Sequence, residues 1–227
     1  MLKKISANFI LFLLISLTTL ADGSEVRYLK DFNSLYIVGN IDVRLVKSDS
    51  NYIVLKGAEE AFGKVSSEVK RGELSVKYLK VGEENTITIV LFYKNIDEIV
   101  AKAGVTIVAN QVMDSPNFKL KLSKGAEAIL EVSNKTFKVE VLQGSEFKVS
   151  GRTIELSVKS SAGSNYNGYG LVSDKTNLSA VTGGIINAKL DGDVVVSAHT
   201  GGAIYYKGSP KTISQKVSTG GVIKKKR

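Results

Sequence analysis

Glu127 and Glu146 stand nineteen residues apart, each two residues after a glycine, Gly125 and Gly144. If that interval is one turn of a coil wound from strands, the carboxylates sit about 5 Å apart on neighbouring turns. Carboxylates at that separation suit retaining glycoside hydrolysis, a shared proton or a bound cation. Such chemistry needs an environment that perturbs the pair. Lys124 and Lys148 flank the glutamates instead, and the expectation is that both splay into solvent, so no catalytic residue is assigned. Asp191-Gly192-Asp193 lacks the longer spacing of a calcium loop and reads as a turn. His199 is the only histidine, with no motif around it to support Ser–His–Asp chemistry. The glycines follow a long period and form no phosphate-binding loop. No metal and no cofactor is expected.

The residues best suited to a ligand are polar and aromatic. Asn165-Tyr166-Asn167-Gly168-Tyr169-Gly170 combines amides with phenol rings, the groups that hydrogen-bond and stack on sugars. In the register set out below, Asn167, Asn187 and Tyr205 share an outward column on successive turns. Asn165, Asn167, Tyr169, Asn187 and Tyr205 are therefore the candidate ligand contacts, against a structural alternative in which the asparagines serve turns. The same register turns Tyr166 and Tyr206 inward. It leaves Ile185, Ala203 and Val222 as an outward apolar column, to be covered by the N-terminal strands or by a partner.

The elements that must position these groups follow from the glycines. Gly104, Gly125, Gly144, Gly163, Gly183, Gly201 and Gly220 recur at intervals of 18 to 21 residues. Seven, five and three residues before each glycine the columns are mostly apolar, as in Phe137, Val139 and Val141. The column four before is mostly polar, as in Lys121, Glu140 and Lys159. That alternation is a strand with one buried face. Three after the glycine every residue is apolar or aromatic: Ile107, Ala128, Phe147, Tyr166, Ile186, Ile204 and Ile223. Each repeat thus reads as strand, glycine corner, strand and a more variable third side. A single repeat is too short to bury its apolar face, and stacking buries it. The alternative of antiparallel hairpins in a sandwich would give turns every 8–12 residues without matching columns. The glycines are expected at corners because no Cβ obstructs the bend or the neighbouring turn.

Residues 22–95 form a less regular β-rich opening to the same domain, and 96–227 the regular rungs. Leu35–Val38, Ile41–Leu45, Tyr52–Leu55 and Thr86–Val90 read as strands, Val69–Leu74 as a tight hairpin, and Glu59–Gly63 as a short helical turn. The opening is expected to supply looser rungs or hairpins that cap the coil. Residues 1–21 read as an export signal: Lys3 and Lys4, an apolar run from Phe9 to Ile15, and Thr19-Leu20-Ala21 before the cut. The run is too short to span a membrane comfortably. With no cysteine in the chain, stability rests on packing and ladder hydrogen bonds.

The full chain carries +9, and without Lys3 and Lys4 it carries +7. After Asp193 there is no acidic residue, while Lys207, Lys211, Lys216, Lys224, Lys225, Lys226 and Arg227 follow. One end of the coil is therefore basic, with Lys224, Lys225, Lys226 and Arg227 as its candidate contacts. Two readings stand: lysines that keep an open strand edge from pairing, or attraction to an anionic polymer or headgroup surface. Export and the lack of any recognition motif disfavour nucleic acid.

Phe32-x-x-Leu35-x-Ile37, Val43-x-Leu45, Gly72-Glu73-Leu74-x-Val76, and the corners Ala103-Gly104, Gln143-Gly144-Ser145 and Thr182-Gly183-Gly184 together resemble the bacterial "putative auto-transporter adhesin, head GIN domain" family over about residues 28–223. The Gly-Ile-Asn signature occurs only imperfectly, as Gly184-Ile185-Ile186-Asn187, so a shared asparagine ladder does not follow. The resemblance implies an all-β, right-handed parallel β-helix of pectin-lyase-like shape in an exported bacterial protein, and it supplies no catalytic residue. The resulting expectation is a non-enzymatic envelope protein at the periplasm, outer membrane surface or cell exterior. It would contact a cell-surface glycan or anionic envelope polymer. The alternatives are a polysaccharide-cleaving enzyme using Glu127 and Glu146, and a scaffold that docks a protein partner.

Overall fold

The computed structural model describes residues 23–78 and 87–227; the export segment read over 1–21, and Thr86, lie outside the described residues. The opening part comprises β1 (Gly23–Tyr28), β2 (Ser34–Val38), β3 (Ile41–Lys47), β4 (Tyr52–Gly57), α1 (Glu59–Phe62), β5 (Val65–Lys70), β6 (Glu73–Tyr78) and β7 (Ile87–Tyr93). The rungs are built from β8 (Glu98–Lys102), β9 (Thr106–Ala109), β10 (Asn117–Ser123), β11 (Glu127–Leu142), β12 (Glu146–Ser161), β13 (Asn165–Val181), β14 (Ile185–Lys189), β15 (Asp193–His199), β16 (Ala203–Lys207), β17 (Thr212–Val217) and β18 (Val222–Lys225).

The alternating pattern puts the sequence columns in register as parallel ladders. Phe118 pairs with Phe137, Phe137 with Leu156, and Leu156 with Thr176. Thr176 pairs with Val194, and Val194 with Ile213. Across the corner, Ala128, Phe147, Tyr166, Ile186, Ile204 and Ile223 align in the same way. The chain is a parallel β-helix. Its third side is more regular than its sequence: β11, β12 and β13 run unbroken for 16 or 17 residues through it. There the buried column Asn134, Thr153 and Ser173 turns the backbone, with Asn134 Nδ2 donating to the Met113 carbonyl (3.1 Å) and Thr153 Oγ1 to that of Lys135 (3.3 Å).

The interior is one aliphatic and aromatic stack. Phe118 and Phe137 are stacked at 5.3 Å, Phe137 meets Phe147 edge-on at 6.1 Å, and Phe147 meets Tyr166 at 5.8 Å. These rings come from both strands of the rungs and tie the two sides together. Tyr166 is fully buried, and its hydroxyl has no hydrogen-bond partner among the described residues.

The corners differ from expectation in their cause. At the Thr200–Gly201 corner both residues are left-handed, with φ of 49° and 73°. A Cβ on Gly201 would meet nothing within 4 Å. Conformation, and not crowding by the next rung, selects glycine there. Crowding acts one residue later, where a Cβ on Gly202 would run into the Ala180 carbonyl. The corners also stack: the Gly201 N–H donates to the Thr219 carbonyl at 3.2 Å and the Gly183 N–H to that of Thr200 at 3.2 Å.

The opening part both extends and caps the coil. β2 lies between β6 and β8, and β3 between β7 and β9, all parallel, so the first rung in sequence is not the first in the stack. β5 then pairs antiparallel with β6, β4 with β7, and β1 with β4. The β5–β6 hairpin turns on Arg71 (φ 51°) and Gly72 (φ 79°), the two-residue turn that matches strand twist. Ala61 and Phe62 of α1 are buried, and Arg27 holds α1 in place by donating to the Phe62 carbonyl at 2.9 Å.

Two buried tyrosines set an alkaline limit. Burial, with Asp114 nearby, pushes Tyr93 up to about 12, and complete burial pushes Tyr166 further up. Because the folded state holds these protons longer than the unfolded chain, stability is full below the ordinary tyrosine value of 10.0 and falls as pH rises from there towards about 12. Tyr93→Phe is expected to flatten that fall, read by denaturant unfolding at stepped pH.

Candidate functional site

The outward side of the strand after each corner is a grid. On the last four rungs the first column is Asn165, Ile185, Ala203 and Val222; the second is Asn167, Asn187, Tyr205 and Lys224. A third column holds Tyr169, Lys189, Lys207 and Lys226, with Lys189 and Lys207 paired in register. The grid is rigid because its alternate residues Tyr166, Ile186 and Ile204 are locked in the core.

All five candidate ligand residues lie on this face and all are half-buried. Tyr169 Oη donates to Asn187 Oδ1 at 3.2 Å, Asn187 Nδ2 to Asn165 Oδ1 at 3.4 Å, and the Tyr169 N–H to Asn167 Oδ1 at 3.5 Å. Tyr205 joins them by register. Partial burial raises the Tyr169 hydroxyl above its ordinary value.

The structure also merges two sites that the sequence kept apart. Lys224 stacks beside Tyr205 in the ladder, and the Lys226 ammonium sits 4.3 Å from the Tyr205 ring centre. Lys207 lies 5.7 Å from the Tyr169 ring. Lys207 and Lys226 therefore belong to the face, although sequence reasoning placed Lys207 only in a basic tail; its position six past Gly201 was the available signal. Lys225 and Arg227 are exposed at the same end.

The apolar column is open to solvent: Ile185 is 39% exposed and Val222 44%. The N-terminal strands do not cover it, because they cap the opposite end of the stack.

Glu127 and Glu146 pair in register, as spaced, and both are exposed. Among the described residues, neither lines any of the five best-formed cavities. Asp191 is held by Lys189 at 3.1 Å and Asp193 accepts from Thr212 Oγ1 at 2.8 Å, around the turn at Gly192. His199 Nδ1 lies 2.6 Å from Ser218 Oγ. Among the described residues no group of three or more His, Cys, Asp or Glu could hold a metal ion.

One concave feature had no signal in the sequence. A groove of about 650 Å³ crosses five rungs on the strand before the corner. Its walls include Lys138, Ser157, Asn177 and Val195, and the ion pair of Lys175 with Glu155 (3.3 Å). The columns were visible in the repeat, but the concavity that five rungs form together was not. Lys175 and Glu155 pair with each other, Asp193 accepts from Thr212, and the one aromatic residue in the lining, Phe137, is buried, so the groove is less suited to sugar stacking than the grid.

Residues 31–210 match the family described as "Putative auto-transporter adhesin, head GIN domain", and the chain belongs to that family. The fold is similar to that of a putative adhesin from Bacteroides fragilis, with a TM-score of 0.80 at 17% identity over 89% of this chain and 96% of that one. A putative adhesin from Parabacteroides merdae follows it with a TM-score of 0.70 at 15% identity, over 90% and 96% of the two chains. A protein from Parabacteroides distasonis described as a putative lipid binding protein has a TM-score of 0.68 at 16% identity, over 90% and 96%. No curated protein matches the chain. Among the described residues no helix is long and apolar enough to cross a membrane.

Proposed function

We propose that this chain is an exported, non-enzymatic envelope protein that contacts a cell-surface glycan or anionic envelope polymer through the Asn–Tyr–Lys face. The observation that carries this reading is the convergence of Asn165, Asn187, Tyr169 and Tyr205 with Lys207 and Lys226 on one rigid face. Amides offer paired donors and acceptors to hydroxyls. Ring faces stack on sugars, and the lysine column supplies long-range attraction to negative charge. The adhesin family points the same way. Glu127 and Glu146 are both exposed, whereas acid–base chemistry calls on an environment that perturbs a carboxylate.

The test is binding of immobilised dextran sulfate, with uncharged dextran beside it. Asn187→Ala with Tyr205→Ala is expected to weaken binding about tenfold, the loss of roughly 1.4 kcal/mol in stacking and hydrogen bonding. Ser157→Trp, which blocks the groove, should leave binding unchanged. Equal binding by the double variant, or loss in Ser157→Trp, would move the site to the groove. Chain shortening of the polymer that disappears in Glu127→Gln would replace this reading with an enzyme.

A further inference from the structure

The two ends of the coil are built differently. At one end β5, β4 and β1 close the stack. At the other, β17 pairs only with β15 and β18 only with β16 among the described strands. Every residue of β17 is exposed. Ile213 is 36% and Val217 51% exposed, whereas Val194 and Ala198, the residues they pair with, are 2% and 0%. Among the described residues the β17–β18 rung therefore presents an unpaired backbone edge above a strip of core side chains.

That strip is not a copy of the rungs beneath it. Gln215 pairs with Val196, and Lys225 pairs with Tyr206, so an amide and an ammonium stand in inward columns that are buried one rung earlier. Lys211 and Lys216 add exposed positive charge, and no acidic residue follows Asp193. An inward lysine opposes an apolar rung and opposes a second copy of the same end, which would bring like charges together. It favours a carboxylate.

We infer that the last rung is a docking edge for an extended acidic segment of a partner protein, which adds a strand beside β17. Main-chain hydrogen bonds supply the pairing, apolar side chains of the segment cover Ile213 and Val217, and its carboxylates face Lys216 on the outward side of β17. This edge is separate from the Asn–Tyr–Lys face, since Lys211 and Lys216 take no part in that grid.

The probe is a labelled, end-blocked peptide of alternating valine and glutamate, titrated against the full chain, with a valine–lysine peptide as control. The glutamate peptide is expected to bind one to one and the lysine peptide not to bind. Affinity should fall at least about tenfold when salt rises from about 0.1 M to about 1 M, which shortens the screening length from ~10 Å to ~3 Å. Binding should slow amide hydrogen exchange in residues 212–217. Gln215→Pro should abolish it, and the double variant Lys211→Glu with Lys216→Glu, which leaves the backbone intact, should weaken it at least about tenfold while keeping dextran sulfate binding. No saturable binding of the glutamate peptide overturns the inference. So does exchange protection elsewhere, or indifference to the charge reversal. A dimer in light scattering with protection at 212–217 overturns it too, by assigning the edge to a second copy.

Discussion

Phe137→Ala is expected to destabilise the protein by about 4 kcal/mol and to lower the melting temperature by roughly 10 °C. Phe137 is 1% exposed and contacts rings on two sides, Phe118 at 5.3 Å and Phe147 at 6.1 Å. Truncation removes both contacts and leaves a cavity that cannot collapse, because the backbone on either side is fixed by ladder bonds to the neighbouring rungs. Phe137→Leu keeps most of the volume and is expected to lose less than half as much. Denaturant unfolding followed by circular dichroism measures both. A loss below about 1 kcal/mol for the alanine variant would mean that the ring stack does not hold the coil together.

Gly202→Val and Gly201→Ala separate the two causes of glycine at one corner. The valine is expected to cost about 3 kcal/mol, since its Cβ must displace the Ala180 carbonyl from the ladder below. The alanine is expected to cost about 1 kcal/mol, because Gly201 has open space around it and only its φ of 73° penalises a side chain. Thr200 already tolerates a φ of 49° in the same turn. Equal losses in the two variants would refute the distinction. The regular glycine thus marks the repeat, while the irregular one beside it is the more demanding. At two earlier corners Ser145 and Ser164 take that place, and Ser164 Oγ accepts the Ser161 N–H at 2.9 Å.

Much of the candidate site was legible because strand alternation is local. Counting from Gly163, Gly183 and Gly201 was enough to send Tyr166 inward and Asn167, Asn187 and Tyr205 outward. The counting could not show that Tyr169 reaches across a rung to Asn187, or that Lys226 settles over Tyr205. Those contacts depend on side-chain length and rotamer, which register leaves open. Nor could it show the groove beside Lys175, which residues of five rungs form together.

The sequence by itself determined the repeat, the corner positions and the inward and outward faces, because each follows from a period of two within strands and of about nineteen between rungs. Only the tertiary structure decided which edges meet. It inserted β2 and β3 between β6–β7 and β8–β9, closed that end with antiparallel strands, and left β17 and β18 uncovered. Pairing between distant strands is a competition among edges of similar pattern, settled by packing in the assembled coil and not by any local run of residues. The two glutamates met first, Glu127 and Glu146, show the same division: spacing paired them, and the fold left them in water.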